Sequence, residues 1–145
     1  MKMIYLYDAP LGPISYEWDG ERCLHLWLDE RAASDMRTHS DPVSHWLDAY
    51  FSRQNIPLPP LAEPATDFQM MMREGLLKVP AGEVRTYGEL AKTLHTSARA
   101  MGQALGANPL PVLIPCHRVI ASDGLGGFAC GLEWKKRLLK FERGF

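Results

Sequence analysis

Residues 86–120 read TYGELAKTLHTSARAMGQALGANPLPVLIPCHRVI. Thr86 with Glu89 fits a capping box, which predicts a helix beginning at Tyr87. That helix runs to Leu94, breaks at His95-Thr96 and is followed by a second from Ser97 to Leu105, the outline of a helix-turn-helix. Ala98, Ala100, Gly102, Ala104 and Gly106 leave the second helix little bulk beyond Arg99, Met101, Gln103 and Leu105. A helix this slim suits tight packing against a neighbouring helix, which the residues alone slightly favour, or close approach to another backbone such as DNA. Next, Pro109, Pro111 and Pro115 forbid a helix, and the apolar run from Leu110 to Ile114 predicts a buried extended segment that delivers Cys116 rigidly.

Downstream, a glycine-rich loop spans Gly124 to Gly131, and a helix is expected from Leu132 to Glu142 with Leu132, Leu138, Leu139 and Phe141 facing the core. Upstream, Thr66 with Gln69 fits another capping box and starts a helix at Asp67, ending near Pro80-Ala81-Gly82. The proline-rich stretch Ile56 to Pro64 breaks regular structure and marks a boundary. Before it, Pro42 to Phe51 has helical spacing. Ile4 and Leu6, Ile14 to Trp18 and Cys23 to Leu28 alternate around turns at Leu11-Gly12-Pro13 and Asp19-Gly20, as a small antiparallel sheet does. The expected architecture is α+β. A small N-terminal sheet domain, residues 1–64, supports a mostly helical domain, residues 65–145, containing the helix-turn-helix outline.

The overall charge of -1 hides an asymmetry. Residues 1–66 carry 5 Lys+Arg against 10 Asp+Glu, and residues 67–145 carry 11 against 7, giving about -5 and +4. An acidic support with a basic working half fits a nucleic-acid partner, and ordinary surface variation is the alternative. No apolar run approaches the roughly 20 residues that cross a bilayer, and the opening MKMIYLYDAP lacks the order of a signal peptide, so a cytoplasmic protein is expected. The 3 cysteines, Cys23, Cys116 and Cys130, have no repeated spacing and point to reduced thiols.

A thiol is nucleophilic as thiolate, and with an ordinary pKa of about 8.5 only a few per cent is ionised at neutral pH. His117 could take the proton and Arg118 could stabilise the charge. Neighbours along an extended backbone point apart, however, so a bridging water is the expected link between Cys116 and His117. Glu142 is the carboxylate best placed in sequence to orient the histidine. The bland alternative for Pro115-Cys116-His117-Arg118 is a buried thiol beside surface polar residues. Metal ligation is disfavoured, because no second Cys-His pair lies at ligand spacing.

Taken together, Ile114 to Ile120, the preceding Asn108-Pro109, Ser97-Ala98-Arg99-Ala100, Tyr87-Gly88-Glu89-Leu90-Ala91 and the terminal Lys-x-x-Leu-Leu resemble the O6-alkylguanine-DNA alkyltransferase family, in the family's order, from about Thr66 to Glu142. The resemblance implies single-turnover transfer of a methyl or other small alkyl group from O6 of guanine in duplex DNA to Cys116, without a cofactor and by a monomer. It implies that residues 65–145 form a winged-helix-like DNA-binding domain in which Tyr87, Ala98, Arg99, Ala100 and Gly102 contact DNA through the minor groove, Arg99 replacing an extruded guanine. His117 becomes the water-linked base, Glu142 its orienting carboxylate and Asn108 the tie between recognition helix and active-site segment. Tyr87, Leu105, Val119, Phe128, Ala129 and Cys130 are then the expected pocket.

The loop Gly127-Phe128-Ala129-Cys130-Gly131 departs from the family, which usually has a tyrosine where Phe128 stands and glycine where Cys130 stands. Cys130 is expected to narrow the pocket against bulky alkyl groups, with simple burial or oxidation as alternatives. Some members of the family hold zinc in the first domain. Cys23, His25, His39 and His45 include no second cysteine there, so no metal is expected. Three rival readings remain open: a damage flag that binds without transfer, a thiol-sensing winged-helix regulator and a thiol hydrolase.

Overall fold

Two tight turns and an alternating pattern make a sheet of the first stretch of chain, and capped amphipathic helices dominate the rest. The computed structural model describes residues 3–31 and 39–144. It divides the chain into two units, Met1–Glu63 and Pro64–Phe145, in an α+β architecture.

In the first unit β1 (Met3–Ala9), β2 (Gly12–Trp18) and β3 (Cys23–Trp27) form an antiparallel sheet in that order. Register runs from Met3 opposite Trp18 to Ala9 opposite Gly12, so Gly12 and Pro13 already belong to β2 and the turn sits one step earlier than expected. Asp19 closes the second turn by accepting from the amides of Glu21 and Arg22 at 2.8 and 2.7 Å. Leu6, Ile14, Tyr16, Leu26, Val43, Leu47 and Tyr50 are buried, the last three from α1 (Pro42–Phe51), whose cap Asp41 forms a complete box with Ser44. The proline-rich stretch is less irregular than expected. Cys23 bridges Leu61, its amide donating to Pro60 and its carbonyl accepting from Ala62, both at 2.8 Å.

The second unit contains α2 (Asp67–Leu77), β4 (Arg85–Thr86), α3 (Tyr87–Thr93), α4 (Ala98–Gly106), a 3-10 turn at Cys116–Arg118, β5 (Val119–Ile120) and α5 (Leu132–Glu142). The Thr86/Glu89 box is complete. At Thr66 only half of the box forms: Thr66 accepts from the Gln69 amide at 3.0 Å, while the Gln69 side chain donates to the Ala104 carbonyl at 3.3 Å. α2 also stops before the expected Pro80. That proline restricts Val79, and the last turn tightens into bonds from Lys78 to Gly75 and from Val79 to Leu76. Parallel pairing of Arg85 with Val119 and Thr86 with Ile120 sets the start of α3 beside the turn that bears Cys116.

Two expectations need correction. The segment leading to Cys116 is buried continuously from Leu110 to His117, but it is turned rather than extended. Ile114 donates to Leu110 at 2.9 Å, and Val112 sits at φ 73, a strained value for a β-branched side chain. Prolines exclude a helix there without excluding a turn, and Asn108 clamps this one by donating to Ile114 at 3.0 Å and accepting from Leu110 at 3.1 Å. On α5, Trp134, Lys135, Leu138 and Glu142 are buried while Leu132 is 47% exposed. The buried face includes two charged residues, Lys135 and Glu142, whose partners lie elsewhere in the chain, and a search for apolar periodicity passes over them. No helix among the described residues is long and apolar enough to cross a membrane.

Thr86 anchors both halves of a complete box, so Thr86→Ala should lower the unfolding free energy by about 1 kcal/mol, with Thr86→Ser keeping most of it. Urea denaturation of the two variants checks this.

Candidate active site around Cys116

The 3-10 turn separates what an extended chain would have set back to back. Cys116 donates its amide to Ile114 at 2.8 Å and Arg118 donates to Pro115 at 3.1 Å. At three residues per turn, successive side chains diverge by about 120°, so the thiol and the imidazole leave the backbone in different directions. Cys116 is 7% exposed and lines a cavity of about 240 Å³ with Tyr87, Gly102, Leu105, Gly106, Gly127, Phe128 and Ala129. A larger cavity of about 380 Å³ touches Glu142 and Leu139 but not Cys116. Volume therefore does not mark the site; the nucleophile does.

His117 is wholly buried, with Nε2 2.6 Å from Glu142 Oε2. Arg118 donates to the same carboxylate from Nε at 2.8 Å and Nη2 at 3.0 Å, and from Nη1 to the Val79 carbonyl at 2.7 Å. Burial alone would raise the Glu142 pKa. Hydrogen bonds from His117 and Arg118, with the Arg118 charge, outweigh it and hold the carboxyl at about 2. An ionised Glu142 only accepts, so His117 carries its proton on Nε2 and Nδ1 keeps a lone pair. Among the described residues, that Nδ1 is the one buried side-chain nitrogen or oxygen without a hydrogen-bond partner. Burial also lowers the His117 pKa, more than Glu142 raises it, which leaves a neutral imidazole with a basic nitrogen.

Burial pushes the Cys116 thiol up to about 12, against opposing contributions from an Asn108 hydrogen bond and the Lys135 ammonium. The resting group is thus a thiol, and ionising it needs a proton acceptor close by.

Around the cavity, Gly126 at φ 73 lies so near Tyr87 that an added Cβ would fall 2.7 Å from the ring. Tyr87 donates its hydroxyl to the Gly127 carbonyl at 3.3 Å. A Cβ on Gly102 or Gly106 would meet nothing within 4 Å, so the slim helix leaves open space at these positions and is not thinned there for packing. Ala98 and Arg99 are exposed on α4, and Ala100 is half-buried. Of the six residues expected in the pocket, Tyr87, Leu105, Phe128 and Ala129 line the cavity with Cys116. Val119 and Cys130 do not: Val119 is buried and offers its carbonyl to Lys135, and Cys130 is half-buried beyond Ala129.

The structure adds to the cavity wall and its support three residues that stand within the sequence motifs but were given no place in the expected site. Gly106 and Gly127 line the cavity, and Lys135, wholly buried, donates to the carbonyls of Val119 at 2.7 Å and Gly127 at 2.9 Å. A signal existed for the lysine, since Lys135, Leu138, Leu139 and Glu142 follow the i, i+3, i+4, i+7 spacing of a single helix face.

A family model described as 6-O-methylguanine DNA methyltransferase, DNA binding domain, matches residues 67–144. A protein of Saccharolobus islandicus named methylated-DNA–protein-cysteine methyltransferase is 37% identical over 140 residues, covering 94% of this chain and 93% of its own. One of the same name from Sulfolobus acidocaldarius is 38% identical over 143 residues, covering 94% and 90%. Among solved structures, Mycobacterium tuberculosis OGT in complex with DNA superposes with a TM-score of 0.80 at 31% identity, covering 97% of this chain and 93% of that one. The O6-methylguanine-DNA methyltransferase of Pyrococcus kodakaraensis gives 0.77 at 27%, covering 98% and 99%.

Because the Glu142 pKa is depressed on folding, the stability it contributes is present above the ordinary carboxyl range and is lost as pH falls from 4.5 towards about 2. Glu142→Gln should therefore destabilise the protein at neutral pH by on the order of 3 kcal/mol. The difference from the parent should shrink across that acid window in urea titrations at stepped pH.

Proposed function

Because the chain belongs to the methylated-DNA–protein-cysteine methyltransferase family, we propose that Cys116 is the acceptor through which it performs the family's direct-reversal repair of DNA. The group moved is a methyl or other small alkyl on O6 of guanine. The observation that carries the assignment is the pairing of a cavity-lining thiol with an adjacent neutral histidine whose Nε2 is held by Glu142 and whose Nδ1 is left with a lone pair.

In this reading the thiol proton passes through a bridging water to His117 Nδ1, and Glu142 offsets the imidazolium that forms. The sulfur bonds to the alkyl carbon as the carbon–O6 bond breaks. The released electron pair stays with the guanine ring, which takes up one proton, matching the one lost from the thiol, so no co-reactant is required. Tyr87, at the cavity wall, offers a hydroxyl to the departing base. The thioether has no easy leaving group, and each molecule therefore acts once.

DNA is the partner, and the exposed, slim α4 is the element suited to it. A paired guanine presents O6 poorly to a buried thiol, so the nucleotide must leave the stack. Arg99, exposed near the start of α4, would fill the gap from the minor groove while Ala98, Ala100 and Gly102 permit close approach. Asn108 connects the end of α4 to the turn before Cys116. A monomer suffices, since Cys116, His117 and Glu142 come from one chain, and a reduced acceptor thiol fits the cytoplasm.

Intact mass and peptide mapping after incubation with a duplex bearing one O6-methylguanine should find a single methyl on Cys116, matched mole for mole by restored guanine and absent from Cys116→Ser. Tight binding to the lesion with no mass change would support a damage flag instead. Arg99→Ala should slow transfer from the duplex by about 10-fold or more, the scale of a few kcal/mol for unstacking, while leaving reaction with free O6-alkylguanine base unchanged.

A further inference from the structure

Lys135 is wholly buried, which strips an ammonium of its hydration. Its two bonded carbonyls, on Val119 and Gly127, and the Tyr87 ring 5.9 Å away, satisfy the ammonium without bringing negative charge. No carboxylate pairs with it among the described residues. On its own helix, Glu133 lies 3.8 Å from Lys136, and Glu142 is taken by His117 and Arg118.

The groups around Cys116 leave one cation unbalanced. On its own turn, His117 is neutral and Arg118 is matched by Glu142. Asn108, from the end of α4, and Tyr87, from α3, are uncharged donors, and Cys130, from the loop, opposes ionisation. From α5, Lys135 is the charge whose field favours the thiolate; burial pulls the lysine's own pKa below its ordinary value, and the thiolate acts against that by favouring the ammonium.

We infer that Lys135 is a positioning residue whose buried ammonium is the fixed counter-charge of the Cys116 thiolate, and that through Gly127 it ties this charge to the wall of the cavity. The inference rests on Cys116 being the acceptor. The buried charge is uncompensated while Cys116 is a thiol, compensated as the thiolate forms, and uncompensated again once the sulfur is a neutral thioether. Its stabilisation is therefore largest in the interval when the sulfur is anionic and attacking, where it accelerates the step most.

The test uses no DNA, so its result is independent of whether methyl transfer occurs. The rate of Cys116 carboxamidomethylation by iodoacetamide is followed by peptide mapping between about pH 7 and pH 9.5, below the buried thiol's midpoint and spanning the ordinary thiol range. Wild type, Lys135→Arg, Lys135→Gln and Lys135→Met are compared. One lost neighbouring charge shifts a pKa by about one unit or more, so Gln and Met should slow the reaction about 10-fold at the neutral end of this range, where the ammonium keeps its proton despite burial, while Arg stays within about threefold there. Gln keeps donors for the two carbonyls without the charge. A Gln rate within about twofold of wild type would overturn the inference, as would an Arg variant as slow as Gln. A rise in rate for Gln, towards that of an unfolded chain, would also overturn it, since Lys135 would then be shielding the thiol.

Discussion

The second unit hangs on one carboxylate. Glu142, near the end of α5, accepts from His117 and twice from Arg118, and Arg118 reaches on to Val79 just beyond α2. These bonds pin α5, the turn bearing Cys116 and the segment after α2 to a common point. A buried carboxylate without partners would be costly, and a buried histidine or arginine without the carboxylate equally so. The same contact that holds the unit together selects the imidazole tautomer. Packing and proton chemistry are thus not separable at this residue: whatever weakens the anchor also changes which histidine nitrogen is basic.

The cavity beside Cys116 is shaped by omission as much as by side chains. Gly102 and Gly106 keep the face of α4 low, and Gly127 bares a carbonyl that both Tyr87 and Lys135 use. Charge follows a similar division of labour. The acidic first half of the chain carries about -5 and the second about +4, so attraction for a polyanion is concentrated in the half that contains the thiol.

Much of this was legible in the chain. The caps at Thr66 and Thr86 fixed two helix starts, because a side chain accepting from the third helical amide is a local event with a local signature. Cys116, His117, Glu142 and Asn108 could each be named in advance, and the structure brings them together. What escaped was decided by tertiary contact. Gln69 turned away from its cap to reach Ala104, and the proline-rich run turned sharply at Val112 instead of extending, an arrangement that the Asn108 clamp and complete burial hold against strain. The buried face of α5 was misjudged because Lys135 and Glu142 are core residues only by virtue of partners far along the chain. The emptiness beside Gly102 was likewise invisible, since small residues read the same whether they admit a neighbour or leave a gap.

The closeness of Gly126 to Tyr87 bears on how this scaffold could be re-engineered. Diversifying the loop from Gly124 to Gly131 is the obvious route to a broader range of alkyl groups, and Phe128 and Ala129 face the space to be altered. Position 126 lies outside that freedom. Its φ of 73 and the 2.7 Å from a would-be Cβ to the tyrosine ring mean that any side chain there displaces the aromatic wall itself. A library that randomises the loop uniformly would lose most of its members to that single codon, whereas one that holds glycine at 126 would sample the cavity's shape with its opposite wall intact.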